Sequence, residues 1–316
     1  MTRQLILAYG SEIEYKRAVF AILSFWAWFD GDRAAVQTIV FTDRPTFFTP
    51  HLEGLPVAYR LLTPDILAQM RGEQNFVHRI KVSVINQIAH EQPGDALFFC
   101  DADTFFVAPS APLIGQLRPG YSVMHLCEHS FEQAITTWAS FSPPQDEYPR
   151  KFVELIRSRS FELLPGALHS FSPNQMMWNS GVVGLAAETL PLLPAILALN
   201  DELYAESRWI LTEQAAFSLA LPTQTQIIAS SQDVFHYWGK RQKAVMDKLL
   251  ANPPALLAPS ELLPDRLARV RVFTAAWRQA VRKDEAQQAA KLAFSRGELL
   301  SGMKSTVKAW LNKYLL

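Results

Sequence analysis

Cysteine is nearly absent from this chain of 316 residues, which contains only Cys100 and Cys127. Both lie in apolar stretches, so we expect small core residues of a reducing compartment rather than a disulfide framework. No apolar run approaches the roughly 18 residues of a membrane-spanning helix. The segment Thr2–Gln4 leads directly into an apolar strand rather than into a signal peptide. These features favour a cytosolic protein, or one bound peripherally to the cytosolic face of a membrane.

The chain also lacks net charge, with 30 Lys and Arg against 30 Asp and Glu. This balance argues against a general nucleic-acid binder. The charge is unevenly distributed, because residues 1–240 hold 16 basic and 24 acidic residues whereas residues 241–316 hold 14 and 6. The apolar content of 49% supports a sizeable core. We therefore predict a globular domain over residues 1–240 and a basic extension over residues 241–316.

Apolar strand-like runs alternate with helical spacing in the first hundred residues. The predicted strands are Leu5–Ala8, Val36–Phe41 and Ala96–Cys100, and the predicted helices between them cover Tyr15–Trp26 and Val77–His90. Strand, helix, strand, helix, strand in this order predicts an α/β sheet with right-handed crossovers. Ligands of such sheets bind beyond the carboxyl ends of the strands.

The rest of the chain continues the mixed pattern. Strands are predicted at Tyr121–Cys127, Met177–Leu185 and 226–238, and helices at Glu188–Tyr204, Trp209–Leu219 and from Arg241 onward. The proline-rich connection over residues 139–176 contains one charged, helix-like piece near Lys151–Arg159. It is long for a compact domain, which is typical of a lid or a binding loop. Ser11 and Glu14 are predicted to form a capping box at the start of the first helix.

Two aspartates, Asp101 and Asp103, follow the strand Ala96–Cys100 directly. Side chains alternate faces along a strand, so these two carboxylates share a side, roughly 6–7 Å apart. A divalent cation is the usual reason to tolerate two anions at this distance. A second Asp-x-Asp at residues 30–32 follows a helical stretch and contains glycine, so we interpret it as a solvated turn. The first pair is therefore the predicted metal site.

Four further motifs contain side chains suited to a metal, an anion or sugar hydroxyls. They are His236 with Gly239 and Lys240, Asn179 with Ser180–Val182, Glu213 with Gln214, and Arg79 with Lys81. An imidazole is a good ligand for a borderline metal, glycine lets a backbone N–H approach an anion, and asparagine offers donors and an acceptor to vicinal hydroxyls. Arg79 and Lys81 are candidate diphosphate or sugar contacts. Each motif alone also fits a structural role, such as a turn or a solvated helix face.

Taken together and in order, these motifs resemble those of nucleotide-sugar glycosyltransferases with the glycosyltransferase-A fold. The resemblance covers residues 3–240 and is closest to glycosyltransferase family 8, the glycogenin-like and bacterial galactosyl- and glucosyltransferases. It implies a Rossmann-like mixed α/β sheet flanked by helices, followed here by a helical basic C-terminal extension. In two respects the sequence departs from the family: Lys240 follows Gly239 directly with no Pro-Trp after it, and Ala215 replaces an acidic residue that often follows the glutamine.

The implied activity is metal-dependent transfer of a hexose from a nucleotide-diphosphate sugar, with a UDP-sugar favoured, to a glycan, lipid-linked or protein acceptor. Retention is the implied stereochemistry, whereas an inverting enzyme would need a base such as Glu213. The implied roles are Mn²⁺ or Mg²⁺ binding by Asp101, Asp103 and His236, diphosphate binding by Gly239 and Lys240, donor-sugar binding by Asn179 and Glu213, and base and ribose contacts by Ala8, Tyr9 and Asp43. Gln214 would lie beside the anomeric carbon, opposite the leaving group, and Asp101 would also lie near the ribose.

Two other functions stay open at this point. A sugar nucleotidylyltransferase would need a glycine-rich phosphate loop after the first strand, and residues 9–12 are not one. An inactive glycosyltransferase-like binding protein would be expected to have broken motifs. The segment His125–His129 lacks the spacing of a zinc site and is expected to line an acceptor cleft.

The C-terminal segment suggests a further contact. Lys304 and Lys308 lie at i, i+4, and the apolar residues Val307, Trp310, Leu311, Tyr314 and Leu315 fall on the other side. Such a helix suits an anionic membrane surface, and it equally suits packing on the domain with the lysines in water.

Overall fold

The structure is a computed structural model that describes residues 1–139, 146–251, 262–296 and 298–314, with side chains up to Ala309 apart from Leu299. The described strands are β1 Thr2–Leu7, β2 Val36–Thr42, β3 Val57–Leu61, β4 Ala96–Asp101, β5 Thr104–Phe106, β6 Tyr121–Met124, β7 Cys127–Ser130, β8 Ser160–Leu164, β9 Ala167–Ser170, β10 Met176–Trp178, β11 Val182–Leu185, β12 Gln226–Ala229 and β13 Val234–His236. The described α-helices are α1 Glu12–Trp28, α2 Pro45–Leu52, α3 Pro64–Arg71, α4 Arg79–Glu91, α5 Ala111–Ile114, α6 Phe131–Ala139, α7 Glu147–Ser158, α8 Leu193–Ser207, α9 Thr212–Ala220, α10 Lys240–Ala251, α11 Leu263–Ser295 and α12 Leu299–Tyr314. Short 3₁₀ helices cover Arg33–Ala35, Ala187–Leu192 and Leu221–Thr223.

A seven-stranded mixed sheet, in the order β12-β6-β11-β4-β1-β2-β3, forms the centre of the fold. The β1–β2, β1–β4, β2–β3 and β6–β12 pairs are parallel, and β11 runs antiparallel to both β4 and β6. The predicted α/β sheet with parallel strands joined through helices is therefore confirmed.

Strand β4 lies in the middle of this sheet and is buried on both faces. Leu97 and Phe99 belong to one hydrophobic cluster, while Phe98 and Cys100 belong to the cluster on the opposite face. A strand covered on both sides has no solvated face, which explains its continuous apolar sequence. Its carboxyl end is the first point at which polar side chains occur, and it ends at Asp101.

Some local predictions were wrong. Ser11 is the N-cap residue of α1 by position, but its side chain makes no capping hydrogen bond, and the Glu14 carboxylate pairs with Arg17 instead. The strand predicted over Tyr121–Cys127 ends at Met124, and β7 then pairs with β10 in a separate two-stranded sheet. Cys127 on β7 is exposed rather than part of the core, whereas Cys100 is fully buried as predicted.

The long connection predicted over residues 139–176 contains regular structure. It includes α7 and the β8–β9 hairpin, and α6 ends where it begins. Pro143 and Pro144 lie outside the described residues. The helix-like piece expected near Lys151–Arg159 is part of amphipathic α7, which buries Phe152 and Ile156, whereas the β8–β9 hairpin was not predicted.

The helices after residue 240 pack partly on α1. Trp277 of α11 lies against Phe20 with ring centroids 4.4 Å apart, and the Trp28 indole N–H donates to the Thr274 hydroxyl at 3.1 Å. Arg17 of α1 forms a salt bridge with Asp247 of α10 at 2.7 Å. Among the described residues, no helix has the combined length and apolar character needed to span a lipid bilayer.

Candidate functional site

Asp101, Asp103 and His236 converge at the carboxyl edge of the central sheet. A small ribbon brings them together, because β13 pairs antiparallel with β5 and places His236 opposite Thr104. The His236 Nε2 atom lies 3.2 Å from Asp103 Oδ1 and 3.8 Å from Asp101 Oδ2. One ligand atom from each residue lies within 4.8 Å of the others. The three residues predicted as metal ligands therefore form one cluster.

The hydrogen bonds of Asn179 determine which nitrogen of His236 faces the two carboxylates. Asn179 Oδ1 accepts the Gly181 N–H at 3.0 Å, and Asn179 Nδ2 donates to Glu128 Oε1 at 3.1 Å. Because Oδ1 also lies 2.9 Å from His236 Nδ1, that nitrogen must be the donor. The Nε2 atom is then left to face the carboxylates, either with a lone pair directed at a cation or with a proton.

This donor set fits a divalent cation. Two carboxylates and one imidazole are ligands of metals such as Mn²⁺, and an imidazole ligand is usually oriented by a hydrogen bond at its other nitrogen, as His236 is by Asn179. Burial alone would raise the pKa of Asp103, but His236 and Lys243 together hold it below its usual value. Burial raises the pKa of Asp101, although nearby Lys81 opposes the rise.

Lys81 joins the cluster to the helix that carries Glu213. Its Nζ lies 3.0 Å from Asp101 Oδ2 and 2.8 Å from Glu213 Oε1, and it also donates to the Ser180 hydroxyl at 3.1 Å. Burial would lower the pKa of this lysine, but the two carboxylates raise it above its usual value. The Lys81 ammonium is therefore committed to two acidic side chains rather than directed at open space.

Asn179, Glu213 and Gln214 are brought together by a loop and a helix start. Residues 179–181 connect β10 to β11, and α9 begins at Thr212. The Ser180 hydroxyl donates to Glu213 Oε1 at 2.6 Å, and the Ser180 N–H donates to Gln214 Oε1 at 3.2 Å. Burial would raise the pKa of Glu213, but Lys81 keeps it lowered, so this carboxylate is ionised and enclosed.

The start of α10 presents a lysine that the sequence analysis did not select. Lys240, the predicted diphosphate residue, is exposed at the first position of the helix, and the Gly239 N–H donates to Gln242 Oε1 at 2.9 Å. Lys243, nearly one turn later, reaches Asp103 Oδ2 at 2.8 Å. Position 243 lies four residues after Gly239, about one helical turn, so a predicted helix start at residue 240 is the signal that could have made Lys243 a candidate.

Ala8, Tyr9 and Asp43 lie at the ends of β1 and β2, on the same edge of the sheet as Asp101. The Asp43 carboxylate accepts the Gly10 N–H at 3.1 Å and the Tyr15 hydroxyl at 2.8 Å. Ala8 is buried and its N–H donates to the Phe41 carbonyl at 2.9 Å. These three positions therefore lie on the same edge of the sheet as the cluster of Asp101, Asp103 and His236, beyond the ends of β1 and β2.

Arg79 lies in a different environment from Lys81. Its guanidinium donates to both carboxylate oxygens of Asp201 on α8, at 2.6 and 2.9 Å, and to the Met70 carbonyl at 2.8 Å. Residues two apart on a helix point to different sides, so only Lys81 of this pair turns toward the aspartates. The structure does not bring Arg79 into the cluster, because its guanidinium is held by Asp201.

Two residues at the site belong to segments that the sequence analysis selected, the predicted acceptor-cleft segment His125–His129 and the Asn179 motif, but they were given no individual role there. Glu128 of β7 accepts hydrogen bonds from the amides of Asn179 and Gln214, at 3.1 and 2.9 Å. Gly181 lies so close to His236 that a β-carbon there would overlap the imidazole ring. Glu128 contacts residues of two later segments, and Gly181 packs against a histidine 55 positions further along the chain, so neither contact could be predicted from local sequence.

Comparison with known proteins identifies similar folds among solved structures but no similar curated sequence. No protein-family model and no curated protein sequence matches this chain. Among solved structures, it is similar to mouse xyloside xylosyltransferase 1 in its apo form, with 15% identity and a TM-score of 0.45 over 73% of this chain and 86% of that one. It is also similar to the apo structure of WbbM, a bifunctional glycosyltransferase, with 11% identity and a TM-score of 0.52 over 86% of this chain.

The chain spans about half of the WbbM structure, 52% of its length. At this identity the likeness establishes the fold: a mixed α/β sheet of the glycosyltransferase-A type with flanking helices, followed here by C-terminal helices. Membership of glycosyltransferase family 8 stays a prediction.

Proposed function

We propose that this protein is a metal-dependent glycosyltransferase that moves a hexose from a nucleotide-diphosphate sugar, with a UDP-sugar favoured, to a glycan, lipid-linked or protein acceptor. The observation that carries the proposal is the convergence of Asp101, Asp103 and His236 at the carboxyl edge of a glycosyltransferase-type sheet. The resemblance in the order of the motifs and the fold shared with WbbM point in the same direction.

In this proposal the cluster binds Mn²⁺ or Mg²⁺. The bound cation would supply Lewis-acid stabilisation of the negative charge that develops on the departing nucleoside diphosphate. Lys243, which already reaches Asp103, adds a positive charge beside that diphosphate, together with Lys240 and the backbone at Gly239. Ala8, Tyr9 and Asp43 contact the base and ribose, and Asn179 binds hydroxyls of the donor sugar.

Retention is the stereochemistry we propose. An inverting enzyme needs a base that accepts the proton of the acceptor hydroxyl. Glu213 is poorly suited to that role, because Lys81 and the Ser180 hydroxyl hold its carboxylate and its pKa is lowered. In a retaining reaction the departing phosphate oxygen can accept the proton instead.

The alternatives named from sequence make different predictions. A sugar nucleotidylyltransferase uses the turn after β1 to hold phosphates, whereas here the Gly10 N–H donates to Asp43. It would release pyrophosphate from UTP and a hexose 1-phosphate. An inactive binding protein would bind nucleotide without turning over any nucleotide sugar.

Thermal unfolding with UDP, GDP and ADP, each with Mn²⁺ or with EDTA, tests the proposed function. We expect UDP to raise the melting temperature only with Mn²⁺, because in the proposal the diphosphate binds beside the metal. A ligand at 100 times its Kd stabilises the folded state by about 2.7 kcal/mol, which is enough to measure. Asp103→Ala should lose this effect, whereas Asp30→Ala, in the exposed second Asp-x-Asp, should keep it. No shift with any of the three nucleotides would contradict the proposal. Mn²⁺-dependent hydrolysis of a panel of nucleotide sugars then identifies the donor.

We further propose that α12 contacts an anionic membrane surface, which suits a lipid-linked acceptor. The helix packs on α11 through small residues: Gly302 and Ala309 are buried, and Gly302 lies against Phe294. Its larger apolar residues Leu300, Met303 and Val307 are 77%, 60% and 56% exposed. The side chains of Trp310, Leu311, Tyr314 and Leu315 lie outside the described residues.

The charge of this helix supports the same proposal. Lys304 and Lys308 are exposed beside the apolar residues, so α12 presents a mixed apolar and basic surface to solvent. Such a surface can bury its apolar side chains at the headgroup boundary while the lysines attract anionic lipids.

A further inference from the structure

Glu128 differs from the other acidic side chains of the site in its partners. Asp101 and Glu213 share the Lys81 ammonium, and Asp103 has Lys243. Among the described residues, the hydrogen bonds made to the Glu128 carboxylate come from two neutral amides, Asn179 Nδ2 at 3.1 Å and Gln214 Nε2 at 2.9 Å. Amide donors orient a carboxylate without neutralising it.

The position of Glu128 is also well defined. Each of its two oxygens accepts from a different amide, one on the loop before β11 and one on α9. Those amides are fixed in turn, since Asn179 contacts His236 and Gln214 accepts the Ser180 N–H. The carboxylate is half-buried, so its negative charge acts in an environment that screens it less than bulk water does.

We propose that Glu128 is a catalytic carboxylate that faces the donor sugar. This inference rests on the proposed function, in which Asn179 binds the sugar, and on the role that the family resemblance implies for Gln214, beside the anomeric carbon. When the bond between the anomeric carbon and the diphosphate oxygen breaks, the electron pair leaves with the diphosphate and positive charge develops on the sugar. The Glu128 carboxylate, held next to both amides, stabilises that positive charge.

The charges that develop when the donor bond breaks explain why Glu128 is held by amides rather than by a cation. Positive charge at the metal end, from Lys243 and from the cation that the cluster would hold, favours the negative leaving group. A negative group at the sugar end favours the positive sugar. Because the positive charge on the sugar and the additional negative charge on the diphosphate develop only as the bond breaks, this arrangement stabilises the transition state more than the ground state.

The test compares Glu128→Gln with the wild type in the full chain. The substitution keeps size and removes charge. We expect turnover of the accepted UDP-hexose, measured as Mn²⁺-dependent UDP release with water as acceptor, to fall at least about 100-fold in kcat. The Kd of UDP with Mn²⁺ should change less than about threefold, because UDP lacks the sugar. Glu132→Gln, at an exposed position of α6 where the carboxylate pairs with Arg157, is the matched control and should behave as the wild type.

A second variant separates charge from positioning. In Glu128→Ala, added formate should restore part of the lost turnover, whereas neutral formamide should not, because only the anion replaces the charge. Unchanged kcat in Glu128→Gln, or equal effects of formate and formamide, would overturn the inference. Absence of UDP binding and of turnover in the wild type would instead overturn the proposed function.

Discussion

The imidazole of His236 packs directly against Gly181, the residue that precedes β11. A β-carbon at position 181 would overlap Nδ1 and the adjacent ring carbon, and the Gly181 N–H donates to the same Asn179 oxygen that His236 contacts. The glycine is therefore a steric requirement for the position of His236 in the cluster with Asp101 and Asp103 rather than a requirement of the backbone.

We expect Gly181→Ala to displace His236 and to weaken Mn²⁺ binding by about 10- to 100-fold, as when a group that orients a metal ligand is lost. Isothermal titration of the metal-free protein with Mn²⁺ measures this. Gly94→Ala is the control, because a β-carbon at Gly94 meets no atom within 4 Å. Equal Mn²⁺ affinity in the two variants would show that His236 is not a ligand.

Replacing Lys81 by methionine should destabilise the protein strongly. Asp101 and Glu213 would lose the ammonium that they share, and breaking a buried ion pair from one side costs about 3–5 kcal/mol. Urea unfolding at pH 8 in EDTA measures the free energy of unfolding. The control is Arg60→Met, since the exposed Arg60–Glu91 pair should contribute less than about 1 kcal/mol.

The Lys81→Met effect should also depend on pH, with a defined sign. In the wild type Lys81 has a raised pKa, so its contribution is complete below its unfolded pKa of about 10.4 and is lost only as the pH rises through the folded value. In the variant, burial without a cation raises the pKa of Asp101 and Glu213. These groups then take up protons in the folded state first, so part of the lost stability returns between pH 8 and pH 5. If Lys81→Met lowers the free energy of unfolding by the same amount over this pH range, the ion pairs of Lys81 with Asp101 and Glu213 do not account for the loss.

Lys243 should affect metal and nucleotide binding in opposite directions. Without nucleotide, Lys243→Ala removes a cation that lies 2.8 Å from a ligand carboxylate, so Mn²⁺ affinity should rise. With Mn²⁺ present, UDP affinity should fall about 10- to 100-fold, because a charge-assisted contact of about 1.5–3 kcal/mol is lost. Lys240→Ala, at the exposed first residue of α10, should change UDP affinity less. Titration calorimetry of both variants measures the two affinities. A larger loss of UDP affinity in Lys240→Ala than in Lys243→Ala would restore the sequence-based prediction that Lys240 binds the diphosphate.

The surface of α12 predicts sedimentation with anionic vesicles. Wild-type protein should bind vesicles of phosphatidylglycerol and phosphatidylcholine more strongly than vesicles of phosphatidylcholine alone. Lys304→Glu with Lys308→Glu should abolish the difference, because each lysine contributes about 1 kcal/mol near an anionic surface and the new charges repel it. The control carries the same charge change at two exposed side chains of α7, Lys151→Glu with Arg157→Glu. Equal binding by both double variants would place the contact elsewhere.

The sequence permitted prediction of the sheet and the ligand cluster for identifiable reasons. An apolar run buried on both faces, such as β4, has an unmistakable composition, and the first polar residues after it must lie at the edge. His236 was found because it stands in a short motif whose order matches a family. Local pattern did not reveal Lys243, whose position depends on the turn of a helix. It placed Glu128 only within a segment expected to line an acceptor cleft, since its contacts to Asn179 and Gln214 join distant parts of the chain. Arg79 and Lys81 looked equivalent in sequence, and only the position of Asp201 separated them.

The β5–β13 ribbon gives the site an order of assembly during synthesis. His236 lies 133 residues after Asp103, and the ribbon holding them together needs both strands. A nascent chain that has passed residue 185 already contains most strands of the central sheet and both aspartates, but it has no imidazole to place beside them. The cluster of two aspartates and one histidine is thus completed only after the ribosome has added β13, so a protein released early would carry a sheet without this cluster.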